Sequence, residues 1–75
     1  MVRAKFVVNE IAKNKYGAEE QTSIRMSAVY GDENPENKIF FRYTPSAKIE
    51  LNTVNPEAAK EFELGKSYYV DFTKA

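Results

Sequence analysis

The chain has 75 residues, enough for one small domain and no second core. Eleven Lys and Arg balance eleven Asp and Glu, so a long polyanion, which demands a basic excess, is not the expected partner. Cysteine and histidine are both absent, which removes disulfides, thiolate chemistry and the usual zinc ligands.

A domain of this size buries only roughly 60–65 % of its unfolded surface, so its core alone gives marginal stability. Self-association is the expected remaining source, and a homo-oligomer is the expected state. No long apolar run is present, so neither a membrane span nor a secretory core is expected, and the lack of cysteine fits a cytoplasmic protein.

Arg3 to Ala12 reads as a first strand, with Ala4, Phe6 and Val8 on one face and Lys5, Val7 and Asn9 on the other. Lys13 to Gln21 is polar around Gly17 and reads as a loose hairpin loop. Thr22 to Tyr30 is the second strand, placing Ile24, Met26, Ala28 and Tyr30 on one face. Gly31 to Asn37 is dense in turn formers and reads as a loop. Ile39–Tyr43 and Ala47–Thr53 are the expected third and fourth strands, joined by a Thr44-Pro45-Ser46 turn. In the fourth, Ile49 and Leu51 face the core.

Asn55-Pro56-Glu57 is a helix start, because Asn caps free amides, Pro needs no amide bond there, and Glu meets the positive helix end. The helix is expected to end near Gly65, with Phe62 and Leu64 plugging one end of the sheet. Ser67 to Thr73 is the last strand, burying Tyr68, Val70 and Phe72. The fold class is therefore mainly β: a small five-stranded, strongly bent antiparallel sheet or partly open barrel. One short helix falls between strands four and five.

Catalysis is poorly supplied, since His and Cys are missing and no serine sits in a nucleophile-elbow context. Asp32, Glu33 and Glu36 could hold a divalent cation, but their spacing matches no calcium loop and a solvated loop is the plainer reading. No metal and no cofactor is expected, and the protein is not expected to be an enzyme.

Binding chemistry is better supplied. As a strand, the segment would put Lys38, Phe40 and Arg42 on one face, where a base can stack on Phe40 while a cation meets phosphate. The plain alternative is a core Phe40 with the two charges snorkelling past it. Ile39, Phe41 and Tyr43 make the opposite face apolar too, which points to a ligand, the helix or a second subunit as its cover. Thr44 and Ser46 add hydroxyls and amides for an anion. Tyr30, at a strand end, is a further stacking candidate.

These segments carry a resemblance. The chain reads Ala28-Val29-Tyr30, Glu36-Asn37-Lys38, Phe40, Tyr43-Thr44-Pro45, Asn55-Pro56 and Gly65-Lys66-Ser67-Tyr68-Tyr69-Val70-Asp71-Phe72. In this it resembles a widespread family of small proteins encoded by tailed phages and prophages, over nearly its whole length. Such sequences often carry glycine after the Pro-Ser of the turn, where this chain has Ala47, and lysine where it has Arg42.

The resemblance extends to the sponges of the anti-CBASS protein four family, which assemble as tetramers and sequester cyclic dinucleotide alarm signals. It implies a non-enzymatic cyclic-dinucleotide binder acting in the cytoplasm of an infected bacterial host. The implied ligand-binding residues are Tyr30, Asn37, Lys38, Phe40, Arg42, Tyr43, Thr44 and Ser46. The alternatives are a phage accessory domain for single-stranded nucleic acid and an adaptor that blocks a host protein.

Overall fold

The computed structural model describes residues 2–30, 35–41 and 46–75, without the side chains of Tyr16, Glu36, Phe40 and Phe41. In chain order the elements are β1 (Val2–Tyr16), β2 (Glu19–Ala28), α1 (Pro35–Phe41), β3 (Lys48–Thr53), α2 (Pro56–Ala59) and β4 (Ser67–Phe72). The strands form one open antiparallel sheet in the order β3-β2-β1-β4. Among the described residues the sheet therefore has four strands, and the expected fifth is missing.

The missing strand is the third of the sequence reading. Ile39 and its two successors belong to α1, and the rest of the expected strand, Arg42 and Tyr43, lies outside the described residues. Proline fits the first turn of a helix because its absent amide is not needed there, and α1 opens on Pro35. The Thr44-Pro45-Ser46 turn lies outside the described residues except for Ser46. So does the acidic cluster at Asp32 and Glu33.

β1 and β2 form a hairpin longer than the sequence suggested. Tyr16 pairs with Glu19 across a turn at Gly17, whose φ is 66°. A positive φ at the first central residue suits a type II′ turn, whose twist lets both strands run on to its edge. The polar stretch from Lys13 to Gln21 is thus mostly strand. Its projection beyond the core makes the molecule long, 44 × 28 × 19 Å. The radius of gyration is 14.0 Å, against about 11 Å for a compact domain of this length.

Alternation selects the buried face. Ala4, Phe6, Val8, Ile24 and Met26 make the core, with Ile11, Ala28, Ala47, Ile49, Phe62, Tyr68 and Val70 packed against it. Ile11 lies three residues after Val8, so strict alternation would turn it to the other face. A register shift between Val8 and Glu10 absorbs the odd residue and sets Ile11 opposite Ile24. At the shift the Asn9 amide donates to Ser27 Oγ at 2.6 Å.

α2 starts as the sequence signalled: the Asn55 side chain accepts from the Glu57 amide at 3.0 Å, and Pro56 opens the helix. It stops at Ala59, well short of Gly65. The connection beyond it is tied down instead of helical. The Tyr68 hydroxyl accepts from the Glu63 amide at 2.9 Å and donates to the Glu61 carbonyl at 3.0 Å. Val8 exchanges backbone bonds with the same connection, donating to Lys66 and accepting from Gly65, each at 2.9 Å. Phe62 folds onto the core beside Tyr68, with ring centroids 5.5 Å apart. Leu64 does not plug the sheet; it is exposed. Leu51 and Phe72, expected inside, are also exposed.

Candidate functional site

The sheet's second face is a ladder of polar side chains. Arg3 donates through Nε and Nη2 to the two carboxylate oxygens of Asp71, at 2.6 and 3.1 Å. Arg3 and Lys5 both lie over the Tyr69 ring, 5.6 and 5.7 Å from its centroid. Across the other strands, Arg25 bonds Glu50 at 2.8 Å and also Glu10. Ser23 donates to Asn52 at 2.6 Å.

The hydrogen bonds from Glu50 and then Glu10 hold the Arg25 guanidinium protonated more firmly than usual. The hydrogen bond from Arg3 holds the Asp71 carboxyl below the ordinary carboxylate range. These cations are already engaged by carboxylates, so an anionic ligand on this face would have to displace them.

Of the expected ligand residues, Tyr30, Asn37, Lys38 and Ser46 are described, and they lie elsewhere, at the end of the sheet where β2 stops. There Asn37 is 1 % exposed. Its Oδ1 accepts from the Lys5 backbone amide at 2.5 Å, and its Nδ2 donates to the Val29 carbonyl at 2.9 Å. The Val29 amide in turn donates to the Lys5 carbonyl at 2.9 Å. The β1–β2 ladder thus runs one step beyond β2, with a side-chain amide inserted where the two backbones part. Asn37 has a structural task, pinning α1 to the sheet.

The other described candidates stand near that pin. Tyr30 is 53 % exposed, because β2 ends at Ala28 and does not carry it into the core. Lys38 is exposed on α1, and Ile39 beside it is 75 % exposed. On a helix Lys38 and position 40 no longer share a face, as they would on a strand. Ser46 is exposed. The side chain of Phe40, and all of Arg42, Tyr43 and Thr44, lie outside the described residues.

Among the described residues, two hollows occur away from these candidates. A cleft of about 480 Å³ separates the projecting hairpin from α2. Ile11, Val54, Pro56 and Phe62 wall it, and Lys13 and Lys60 line it as well. A hollow of about 320 Å³ lies across β1, β2 and β3, lined by residues including Glu10, Arg25, Lys48 and Glu50. None of the expected ligand residues lines either. The signal for the cleft was Gly17, which permits a two-residue turn and hence strands long enough to form its wall. Among the described residues no cluster of carboxylates suits a metal ion, and no helix is long and apolar enough to cross a membrane. No family model, no curated protein and no solved structure matches the chain.

Proposed function

We propose that this chain is a non-enzymatic sponge that captures a cyclic dinucleotide, as an assembly of several copies, in the cytoplasm of an infected bacterium. The observation that carries the reading is the pinning of α1 by Asn37. Tyr30 follows Val29 and Lys38 follows Asn37, so each is the chain neighbour of one member of a partly buried hydrogen bond. An aromatic ring and a cation are thereby presented at one end of the sheet from a fixed frame, which lowers the ordering cost of binding. A base stacks on Tyr30 or Phe40, and Lys38 and Arg42 meet the phosphates. The hydroxyls of Thr44 and Ser46 donate hydrogen bonds. The balanced charge suits a compact dianion better than a long polyanion.

Titration calorimetry against cyclic GMP-AMP and related cyclic dinucleotides tests the reading. The expected result is saturable heat that falls sharply in Lys38→Glu, with the ligand recovered intact after heat denaturation. Absence of heat with every dinucleotide at high micromolar protein overturns it. A second reading, an adaptor for a host protein, is favoured by Val2 and Phe72, which pair across β1 and β4 and are both exposed. Retention of a host protein by the wild type but not by Phe72→Ser, with no dinucleotide binding, would establish that reading instead.

A further inference from the structure

The outer edge of β3 carries an unsatisfied pattern that matches itself. The Ala28 amide donates to the Ala47 carbonyl at 3.2 Å, and β2 and β3 then continue in register. In an antiparallel pair, alternate residues turn their peptide groups to one neighbour or the other. Ala47, Ile49 and Leu51 therefore address β2, and Lys48 and Glu50 direct their amides and carbonyls out of the sheet. No described strand covers that edge.

The side chains carry the same message in charge. Glu10 and Glu50 share the single guanidinium of Arg25, so the cluster keeps a net negative charge beside the edge. Among the described residues, Lys48, in the same hollow, has no carboxylate partner. One residue, Ile49, separates Lys48 from Glu50, and both of these charged residues stand on the polar face.

We propose that β3 is a self-pairing edge: two copies join their β3 strands antiparallel about a twofold axis at Ile49, with Lys48 of each opposite Glu50 of the other. This register exchanges the free amides and carbonyls of Lys48 and Glu50. It packs Ile49 against its own image and sets the exposed Leu51 against Ala47 of the second copy. The neighbouring registers are worse. A twofold axis at Glu50 opposes Glu50 to itself, and an axis at Leu51 leaves Lys48 without a carboxylate. Like charges directly opposite each other on paired strands are destabilising, so charge selects among the registers.

The other edge, β4, lacks this pattern, since Asp71 is taken by Arg3 and Tyr69 lies under Arg3 and Lys5. Pairing through β3 makes one continuous sheet from two copies and hides the edge that otherwise invites aggregation. The inference rests on the proposed self-association and not on the ligand.

Sedimentation velocity on the full chain without ligand, from low to high micromolar concentration, tests it. The wild type is expected to self-associate. Lys48→Glu and Glu50→Lys are each expected to weaken association about thirtyfold, because each opposes like charges at both symmetric positions. Mixing the two variants is expected to restore a heterodimer, since each Glu then faces a Lys. Lys48→Pro removes an outward amide that β2 does not use, and is expected to leave a folded monomer by circular dichroism. A wild type that stays monomeric overturns the pairing. So does an oligomer indifferent to both charge reversals, or a mixture in which no heterodimer appears; neither of these bears on dinucleotide binding, which calorimetry reads separately.

Discussion

The two faces of the sheet are built from the same four strands and held by opposite means. On one, Ala4, Phe6, Val8, Ile24 and Met26 are almost wholly removed from water. On the other, Arg3, Glu10, Arg25, Glu50 and Asp71 pair across the strands while remaining well exposed. Burial of apolar surface supplies most of the free energy of folding, and exposed ion pairs supply little. What the polar face contributes is registration: each cross-strand pair is lost if a strand slips. The difference teaches that stability and specificity are separable here, with the apolar face providing the first and the polar face the second.

The sharpest way to break that contrast is Phe6→Ala, at the centre of the apolar face. It is expected to cost about 3–5 kcal/mol, against a total of about 4–11 kcal/mol for a domain of this length. Urea denaturation should find the variant's midpoint far below that of the wild type. Asn37→Ala tests the seam between the faces. It strips the Lys5 amide and the Val29 carbonyl of their partner, and the expected loss is about 2–3 kcal/mol. Asn37→Asp should fail to rescue, because a carboxylate cannot donate to Val29.

Gly17→Ala touches neither face and acts only through the turn. Nothing lies within 4 Å of where its Cβ would fall, so the expected cost of about 1 kcal/mol comes from the positive φ alone. A thermal melt reads it. The smallest effect is on the polar face. Hydrogen bonding from Arg3 lowers the Asp71 pKa in the folded state. Its stabilisation is therefore present above the ordinary carboxylate range and is lost as pH falls through the lowered value. Thermal midpoints of the wild type and Asp71→Asn should differ slightly at neutral pH and converge in acid.

Much of the apolar face could be read from alternation. Ala4, Phe6 and Val8, then Ile24 and Met26, recur at period two and are the residues buried. Alternation failed where one residue was out of phase: Ile11 belongs to the same face only because the chain bulges at Asn9, and no composition rule marks that. The third strand was misread for a different reason. Ile39, Phe40 and Phe41 favour strands intrinsically, and that preference outweighed a helix opening at Pro35-Glu36. The same Pro-Glu pair was read correctly at Pro56-Glu57, where only Ala58 and Ala59 follow.

The candidate site was legible as a segment and not as a geometry. Lys38 and Tyr30 are exposed, as a ligand contact requires, but helical and not strand spacing governs Lys38. Asn37 was expected to end a loop and to contact the ligand. A buried side-chain amide standing in for a peptide group has no periodicity to announce it, because its partners are backbone atoms of Lys5 and Val29, distant in sequence.

That substitution has a kinetic consequence. Most protected amides in a sheet exchange with solvent when strands separate. The Lys5 amide is held by a side chain that arrives on α1, so its exchange follows the departure of a helix. One backbone hydrogen on β1 is thus a clock for the docking of the segment that carries Lys38, running independently of the sheet in which it sits.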